Sequence, residues 1–148
     1  MSCIIAKDIM HPRVSLPAKI AGHELIEKLM SPYPALPVVN DNLEVIGIVS
    51  EYDVLSAIME GRTIHEFSAE SLMTCGHAEH GACGSPITVT TNTSIKNVVD
   101  YFFNNRAHLS ILPVVENNKL VGIISRKNII NALAEKGFWP EHEFKKRV

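Results

Sequence analysis

Two groups of residues have types and spacings suited to chemistry. The first is Ser50 and Asp53, three positions apart and preceded by Gly47-Ile48-Val49. They stand where an apolar run gives way to a helical pattern, so the spacing places them in the first turn of a helix. Backbone N–H groups in a first turn lack intrahelical partners, and the helix dipole leaves positive charge there, which suits a phosphate. A carboxylate one turn in can accept two hydrogen bonds from a vicinal diol such as that of a ribose. Gly47 allows close approach of backbone or ligand. The same spacing is also a capping box, in which the two side chains satisfy the helix's own N–H groups. The readings are compatible, because a cap can open to admit a ligand.

The second group is Cys75, His77, His80 and Cys83, within TCGHAEHGACGSP at 74–86. Two thiolates and two imidazoles form a tetrahedral zinc set, and Gly76, Gly81 and Gly84 let a loop fold around an ion. Soft ligands also suit copper(I) or an iron–sulfur centre. The C-x-H-x-x-H-x-x-C spacing is not that of the common zinc fingers. The alternatives are a polar loop that happens to hold these residues, or a lid over a neighbouring cleft. Among the other histidines, His11 beside Pro12 is expected to line the first cleft. His23, His65, His108 and His142 are expected at the surface or in packing roles. No assembled nucleophile–base pair is recognisable, so the chain is expected not to be an enzyme, a small nucleotide hydrolase being the weak rival.

The elements that must position these residues occur twice. The stretch 35–59, ALPVVNDNLEVIGIVSEYDVLSAIM, recurs 75 to 76 positions later at 111–134, ILPVVENNKLVGIISRKNIINALA. Such a long-period repeat decides the fold. Each copy reads strand, turn, strand, helix, with Asn40-Asp41-Asn42 and Glu116-Asn117-Asn118 as turn chemistry. The strands are nearly all apolar and are expected to be buried on both faces. Upstream, Val14-Ser15-Leu16 and Ile87-Thr88-Val89 alternate as short strands do. Amphipathic helices follow at 18–30 and 94–105, the second capped by Thr93 or Ser94. Their inward faces are expected to carry Ile20, Leu25, Ile26, Leu29 and Met30, and Ile95, Val98, Val99, Phe102 and Phe103. The closing helices span 51–59 and 126–135, with Gly61 and Gly137 at their C-caps. Short helical segments at 6–10 and 69–73 lead into the two copies.

The expected fold class is therefore α+β: two β-α-β-β-α repeats, at 1–64 and 65–137, packed as a pseudo-two-fold pair, with a tail at 138–148. A unit of about 60 residues has a small core and gains by burying a sheet face against its twin. The second repeat carries an insertion at 75–84. The tail aromatics Phe138 and Trp139 are expected to pack on the pair or at a dimer contact.

Composition narrows the function classes. The 148 residues are 46% apolar and 20% charged, a globular balance. A formal charge of −2 does not suggest a nucleic-acid-binding field. No apolar run approaches the ~20 residues that cross a bilayer, and MSCIIAKDIM does not read as a signal peptide. Three cysteines do not suggest a disulfide framework. The expectation is a soluble cytoplasmic protein without a membrane or nucleic-acid partner.

The duplicated order of leading helix, short strand, helix, LPVV strand, turn, G-h-h-S-x-x-D and helix resembles a tandem pair of CBS domains, a Bateman module. The resemblance covers about 6–133. It implies a compact pseudo-two-fold unit that forms homodimers, often flat discs. It also implies a cleft between repeats for an adenine nucleotide (AMP, ADP or ATP), NAD or S-adenosylmethionine. Carried over residue by residue, it places Ser50 on phosphate and Asp53 on the ribose hydroxyls. Val14, Ser15, Ala35, Leu36 and Pro37 flank the base, with Gly47 in the same motif. In the second copy the corresponding residues are Ile87, Thr88, Ile111, Leu112, Pro113, Ser125, Arg126 and Asn128. There Asn128 replaces the aspartate and lacks the charge that strengthens such hydrogen bonds, while Arg126 and Lys127 add positive charge suited to phosphate. The resulting expectation is a stand-alone regulatory module that senses an adenosyl ligand and signals to an unknown effector protein, with one full site and one weaker or different one. The alternative is a metal- or redox-responsive binding protein using Cys75, His77, His80 and Cys83, with zinc as its ion.

Overall fold

Apolar residues make up 35–39 and nearly all of 45–49, the second stretch mostly β-branched, and the polar segment between them turns the chain back on itself, so these stretches pair as a hairpin. In the computed structural model, which describes residues 4–30, 32–74, 86–104 and 109–136, β3 (Ala35–Val39) and β4 (Val45–Ser50) are antiparallel, with Ala35 opposite Ser50. Their copies β6 (Ile111–Glu116) and β7 (Lys119–Ser125) put Ile111 opposite Ser125. The turns differ in detail. Asn117 (φ 53°) and Asn118 (φ 65°) form a two-residue turn with both residues left-handed, the geometry that matches strand twist. The first turn is longer: the Asn40 side-chain oxygen accepts from Asn42 N and Glu44 N, and Leu43 takes φ 63°.

Short strands β2 (Leu16–Pro17) and β5 (Val89–Thr90) lie parallel to β3 and β6. They start two residues later than the alternation suggested: Leu16 and Val89 pair with Val38 and Val114, whereas Val14, Ser15, Ile87 and Thr88 lead in unpaired. Helix α2 (Gly22–Leu29) likewise starts four residues beyond Ala18. The reason is local, since the Ala18 carbonyl accepts from Glu70 N and Ala21 bridges Ser68. Helix α5 (Ile95–Asn104) starts beyond Ser94, whose hydroxyl accepts from Asn97 N. Helices α3 (Glu51–Met59) and α6 (Arg126–Lys136) follow β4 and β7 directly. After α3, Gly61 at φ 86° closes a Schellman motif, with Gly61 N donating to Ile58 O and Arg62 N to Ala57 O. Gly137, His108, His142 and the tail aromatics Phe138 and Trp139 lie outside the described residues.

The inward helix faces are narrower than the spacing predicts. Ile20, Leu25 and Leu29, and Ile95, Val98 and Val99, are buried, but Met30 is 80% and Phe103 73% exposed. Each stands one residue beyond a position that already fills the inward arc, and one residue is a rotation of about 100°.

The two repeats exchange their leading segments. Helix α1 (Ala6–Ile9) precedes the first repeat but packs in the core of the second, where Ile4, Ala6 and Ile9 meet Val89, Val98 and Leu112. Helix α4 (Ala69–Leu72) precedes the second repeat, yet Phe67, Ala69 and Leu72 complete the core of the first. The strand after α1, β1 (His11–Pro12), adds to the edge of β7, giving a sheet of order β1-β7-β6-β5 beside the sheet β2-β3-β4. Thr74 makes the reciprocal bridge to Ile48 in β4. Ile111, Leu120 and Ile123 of the second repeat join the first core, so the sheets share apolar contact. The structure is the α+β pair of β-α-β-β-α repeats that the duplication implies. No helix among the described residues is long and apolar enough to cross a membrane.

Candidate functional site

The strand register places the first candidate group at one end of the first sheet. Ser50, the last residue of β4, is the N-cap of α3. Its backbone N–H and hydroxyl donate to Asp53 Oδ2 at 2.8 and 3.0 Å, and its Oγ accepts from Asp53 N at 3.2 Å. Asp53 is 3% exposed. The capping box of the sequence is therefore formed, and a buried carboxylate is held against the strand end.

The second copy repeats the geometry. Ser125 N and Oγ donate to Asn128 Oδ1 at 2.8 and 3.1 Å, and Asn128 N donates to Ser125 Oγ at 3.2 Å. Here an amide oxygen does what a carboxylate oxygen does in the first copy. Asn128 is half-buried, so it is more open than Asp53.

An aromatic pair stands beside the first cap. Because Ala35 is opposite Ser50, the chain before β3 runs over the start of α3, where Glu51 N donates to Pro34 O at 3.1 Å. Tyr33, one residue earlier, meets the His11 ring at 4.9 Å between centroids. His11 arrives on β1, which is paired with β7 of the other repeat (His11 opposite Ile123). This corner thus combines residues delivered by both repeats. Burial raises the Tyr33 phenol above its usual range, which favours the neutral hydroxyl. The sequence signals this pair only at His11; Tyr33 is visible there merely as an aromatic residue before the LPVV strand.

The remaining sequence candidates divide by place. Val14, Ser15, Ile87 and Thr88 are half-buried lead-ins to β2 and β5, and the Ser15 carbonyl accepts from Lys28 Nζ. Ala35, Leu36, Ile111 and Leu112 are at most 1% exposed, backbone included, and belong to the cores. Pro37 and Pro113 are buried in the same strands. At Gly47 the close approach comes from Met73: an added Cβ would lie 2.7 Å from its sulfur. At Gly122 the neighbours are the Met10 sulfur at 2.5 Å and the His11 carbonyl at 2.8 Å. Arg126 is exposed, with its guanidinium 3.5 Å from the Leu109 carbonyl. Cys75, His77, His80 and Cys83 lie outside the described residues, as does the insertion that holds them. Among the described residues no cluster of His, Cys, Asp and Glu can hold a metal ion.

Chemically, the first corner holds a carboxylate at a helix start, a hydroxyl and an aromatic pair, beside the half-buried Val14 and Ser15. That set matches the parts of a nucleoside: diol to carboxylate, planar base to aromatic and apolar surfaces, phosphate to the helix N-terminus.

Comparison with known proteins gives one family and many solved structures. The CBS domain profile matches residues 6–60 and 83–135. Hypoxic Response Protein I, solved with two coordinated zinc ions, is 21% identical with a TM-score of 0.71, over 86% of this chain and 98% of its own. CBSX2, solved in complex with AMP and also described from Arabidopsis thaliana, is 23% identical with a TM-score of 0.71, over 90% and 98%. The CBS domain pair of protein MJ0100, in complex with 5-methylthioadenosine and S-adenosyl-L-methionine, is 20% identical with a TM-score of 0.71, over 91% and 99%. At these identities the likeness is one of fold. No curated protein sequence matches the chain.

Proposed function

The chain belongs to the CBS-domain family, and from that premise we propose that it is a non-catalytic regulatory module binding an adenine nucleotide, NAD or S-adenosylmethionine between its repeats. The observation that carries this reading is the pairing of Ser50 with Asp53 beside the His11–Tyr33 aromatic corner. It supplies the three kinds of contact that a nucleoside requires. Two structural relatives were solved with adenosyl compounds, AMP in one, and 5-methylthioadenosine with S-adenosyl-L-methionine in the other, which supports the same ligand class here.

Within this proposal Asp53 takes the ribose diol and Ser50 turns toward phosphate. The base lies against Val14 and Ser15, with Tyr33 and His11 at its edge, and reaches the Ala35–Pro37 backbone only when the buried strand end is uncovered. The second corner, with Asn128, Ser125, Arg126 and the Ile87–Thr88 and Ile111–Pro113 backbone, is the weaker ribose site. The ligand acts by binding one arrangement of the pair better than another, the only way it can shift such an equilibrium. The module works as a homodimer in the cytoplasm and passes its state to an effector protein.

Calorimetry with AMP, ADP, ATP, NAD and S-adenosylmethionine tests the reading. Binding of at least one, weakened by Asp53→Ala, is expected; silence from all five at millimolar concentration sinks it. A second reading, in which Cys75, His77, His80 and Cys83 bind zinc, draws support from the two coordinated zinc ions of Hypoxic Response Protein I. Metal content near one ion per chain, lost in Cys75→Ala with Cys83→Ala, is its signature.

A further inference from the structure

The first turns of α3 and α6 share one cap and carry opposite charge. Helix α3 opens with Ser50-Glu51-Tyr52-Asp53, which sets two carboxylates in its first turn. Helix α6 opens with Ser125-Arg126-Lys127-Asn128 and has no acid in its first turn. Glu51, Arg126 and Lys127 are exposed. Two negative charges thus stand at one helix start, and two positive charges at the other.

The backbone follows the same division. Glu51 N donates to Pro34 O at 3.1 Å, so the first N–H of α3 is satisfied within the chain. Its counterpart, Arg126 N, has no hydrogen-bond partner among the described residues. The Arg126 guanidinium lies 3.5 Å from the Leu109 carbonyl, which holds it beside the segment that enters β6. Leu109 stands two residues before its strand, the place of Tyr33 in the first repeat. Lys28 does not supply the missing positive charge at the α3 start. Its Nζ donates to the Ser15 carbonyl at 3.3 Å, on the side of the proposed base.

We propose that the two corners sort adenosyl ligands by charge, with Glu51 and Arg126 as the specificity-determining residues; this rests on the adenosyl reading above. The first corner takes a ribose whose 5′ substituent is a sulfonium or at most one phosphate. The second takes a chain of phosphates. At α3 the positive end of the helix dipole is already offset by two carboxylates, so further anions are repelled. At α6 an open N–H, a guanidinium and an ammonium all add to the dipole. The ribose contacts run the other way. The Asp53 carboxylate binds a diol more strongly than the Asn128 amide does. Each corner is therefore strong where its twin is weak, the first on sugar and the second on phosphate.

Calorimetry on the full chain, with S-adenosylmethionine and with ATP free of divalent cations, tests the sorting. Each should bind at about one site per chain, and ATP should keep that stoichiometry when S-adenosylmethionine is saturating. One-for-one displacement would overturn the proposal. Arg126→Glu should weaken ATP roughly tenfold and leave S-adenosylmethionine within about twofold. Glu51→Arg should weaken S-adenosylmethionine and admit ATP to the first corner. Where a charge reversal folds poorly, Arg126→Gln and Glu51→Gln should show the same directions at smaller size. Equal losses of both ligands in either variant would overturn the assignment.

Inorganic tripolyphosphate, which has neither base nor ribose, separates this proposal from the adenosyl reading. It should raise the thermal midpoint of the parent chain and leave that of Arg126→Gln unchanged. If it does so while no adenosyl compound binds, the adenosyl reading falls and the phosphate preference of the second corner stands. If ATP and S-adenosylmethionine bind equally well at both corners, the adenosyl reading stands and only the sorting falls. ATP binding untouched by Arg126→Gln, with no stabilisation by tripolyphosphate, would also overturn it.

Discussion

Ser50 and Asp53 hold each other closed: Asp53 Oδ2 accepts from both the N–H and the hydroxyl of Ser50, while that hydroxyl oxygen accepts from Asp53 N. Structure and binding therefore draw on the same two side chains. Asp53→Asn keeps the acceptor and should cost about 0.3–1 kcal/mol, the dipole contribution of an anion at a helix start. Asp53→Ala keeps the Ser50 Oγ cap on the backbone N–H of residue 53 but removes the reciprocal half of the capping box and leaves Ser50 N without this acceptor, for about 1–2 kcal/mol. Urea denaturation of the two variants gives the ranking; equal losses would mean that the cap contributes nothing beyond its charge.

Ligand affinity should separate the two copies. If Asp53 holds the diol, Asp53→Ala weakens adenosyl binding about 10-fold or more, in line with hydrogen bonds to a charged group, and Asn128→Ala much less. The converse change, Asn128→Asp, gives the second corner the carboxylate of the first and should strengthen binding there. Calorimetric stoichiometry reads this directly. Equal losses from both alanine variants would overturn the ranking of the corners.

The two buried strand glycines should differ in tolerance. The three atoms nearest a Cβ at Gly47 belong to Met73: its sulfur at 2.7 Å and Cγ at 2.8 Å can swing away, whereas its Cβ at 2.9 Å moves only with the backbone. At Gly122 it also meets the His11 carbonyl at 2.8 Å, which the β1–β7 pairing fixes. Gly122→Ala should cost about 1–3 kcal/mol by overpacking, and Gly47→Ala less. Met73→Ala should relieve most of the Gly47→Ala cost, the Cβ contact at 2.9 Å remaining, whereas Met10→Ala should relieve less of the Gly122→Ala cost because the His11 carbonyl at 2.8 Å stays, as thermal denaturation of the four combinations would show.

Tyr33 should mark its corner at high pH. Burial raises its phenol above the ordinary 10.0. A raised pKa means that the folded chain holds the proton more tightly. The resulting stability is complete below pH 10.0 and is lost as the pH climbs through the folded-state value. Tyr33→Phe should therefore lose less stability than the parent chain above that pH, and its 295 nm titration should lack the latest tyrosinate component. Loss instead of a component titrating near the ordinary 10.0 would place Tyr33 in water.

Much of this was legible in the residues, for reasons that are local. LPVV and G-h-h-S are dense apolar strings bounded by Asn-rich turns, so hairpins and closing helices stand out. Glu51–Met59 matches its expected span, and α6 runs one residue past its own. The lead-in strands were harder, because only Leu16 and Val89 of each alternating triplet find a backbone partner in register with β3 and β6. Ala18 looks helical by periodicity, yet its carbonyl is claimed by Glu70, more than fifty positions away. Met30 and Phe103 fit the helical period within the resolution of a single turn, and their exposure depends on how wide an arc the sheet covers. The Ser50–Asp53 unit was visible as spacing; Tyr33 meeting His11 was not, since it depends on β1 crossing to the other repeat's sheet.

That crossing also sets a timetable for synthesis. Ala6 N donates to Thr93 O, and Ile5 bridges Ser94. On a ribosome adding 5–20 residues per second, the apolar side chains of Ile4, Ala6 and Ile9 must wait roughly 5–20 s for the core that will receive them. Meanwhile the first repeat cannot finish until Phe67, Ala69 and Leu72 have emerged. Neither half is a unit that can be made, cut out or inherited alone. The two copies complete one another's cores, so the segment Ile4–Ile9 waits on residues made after it in the second repeat.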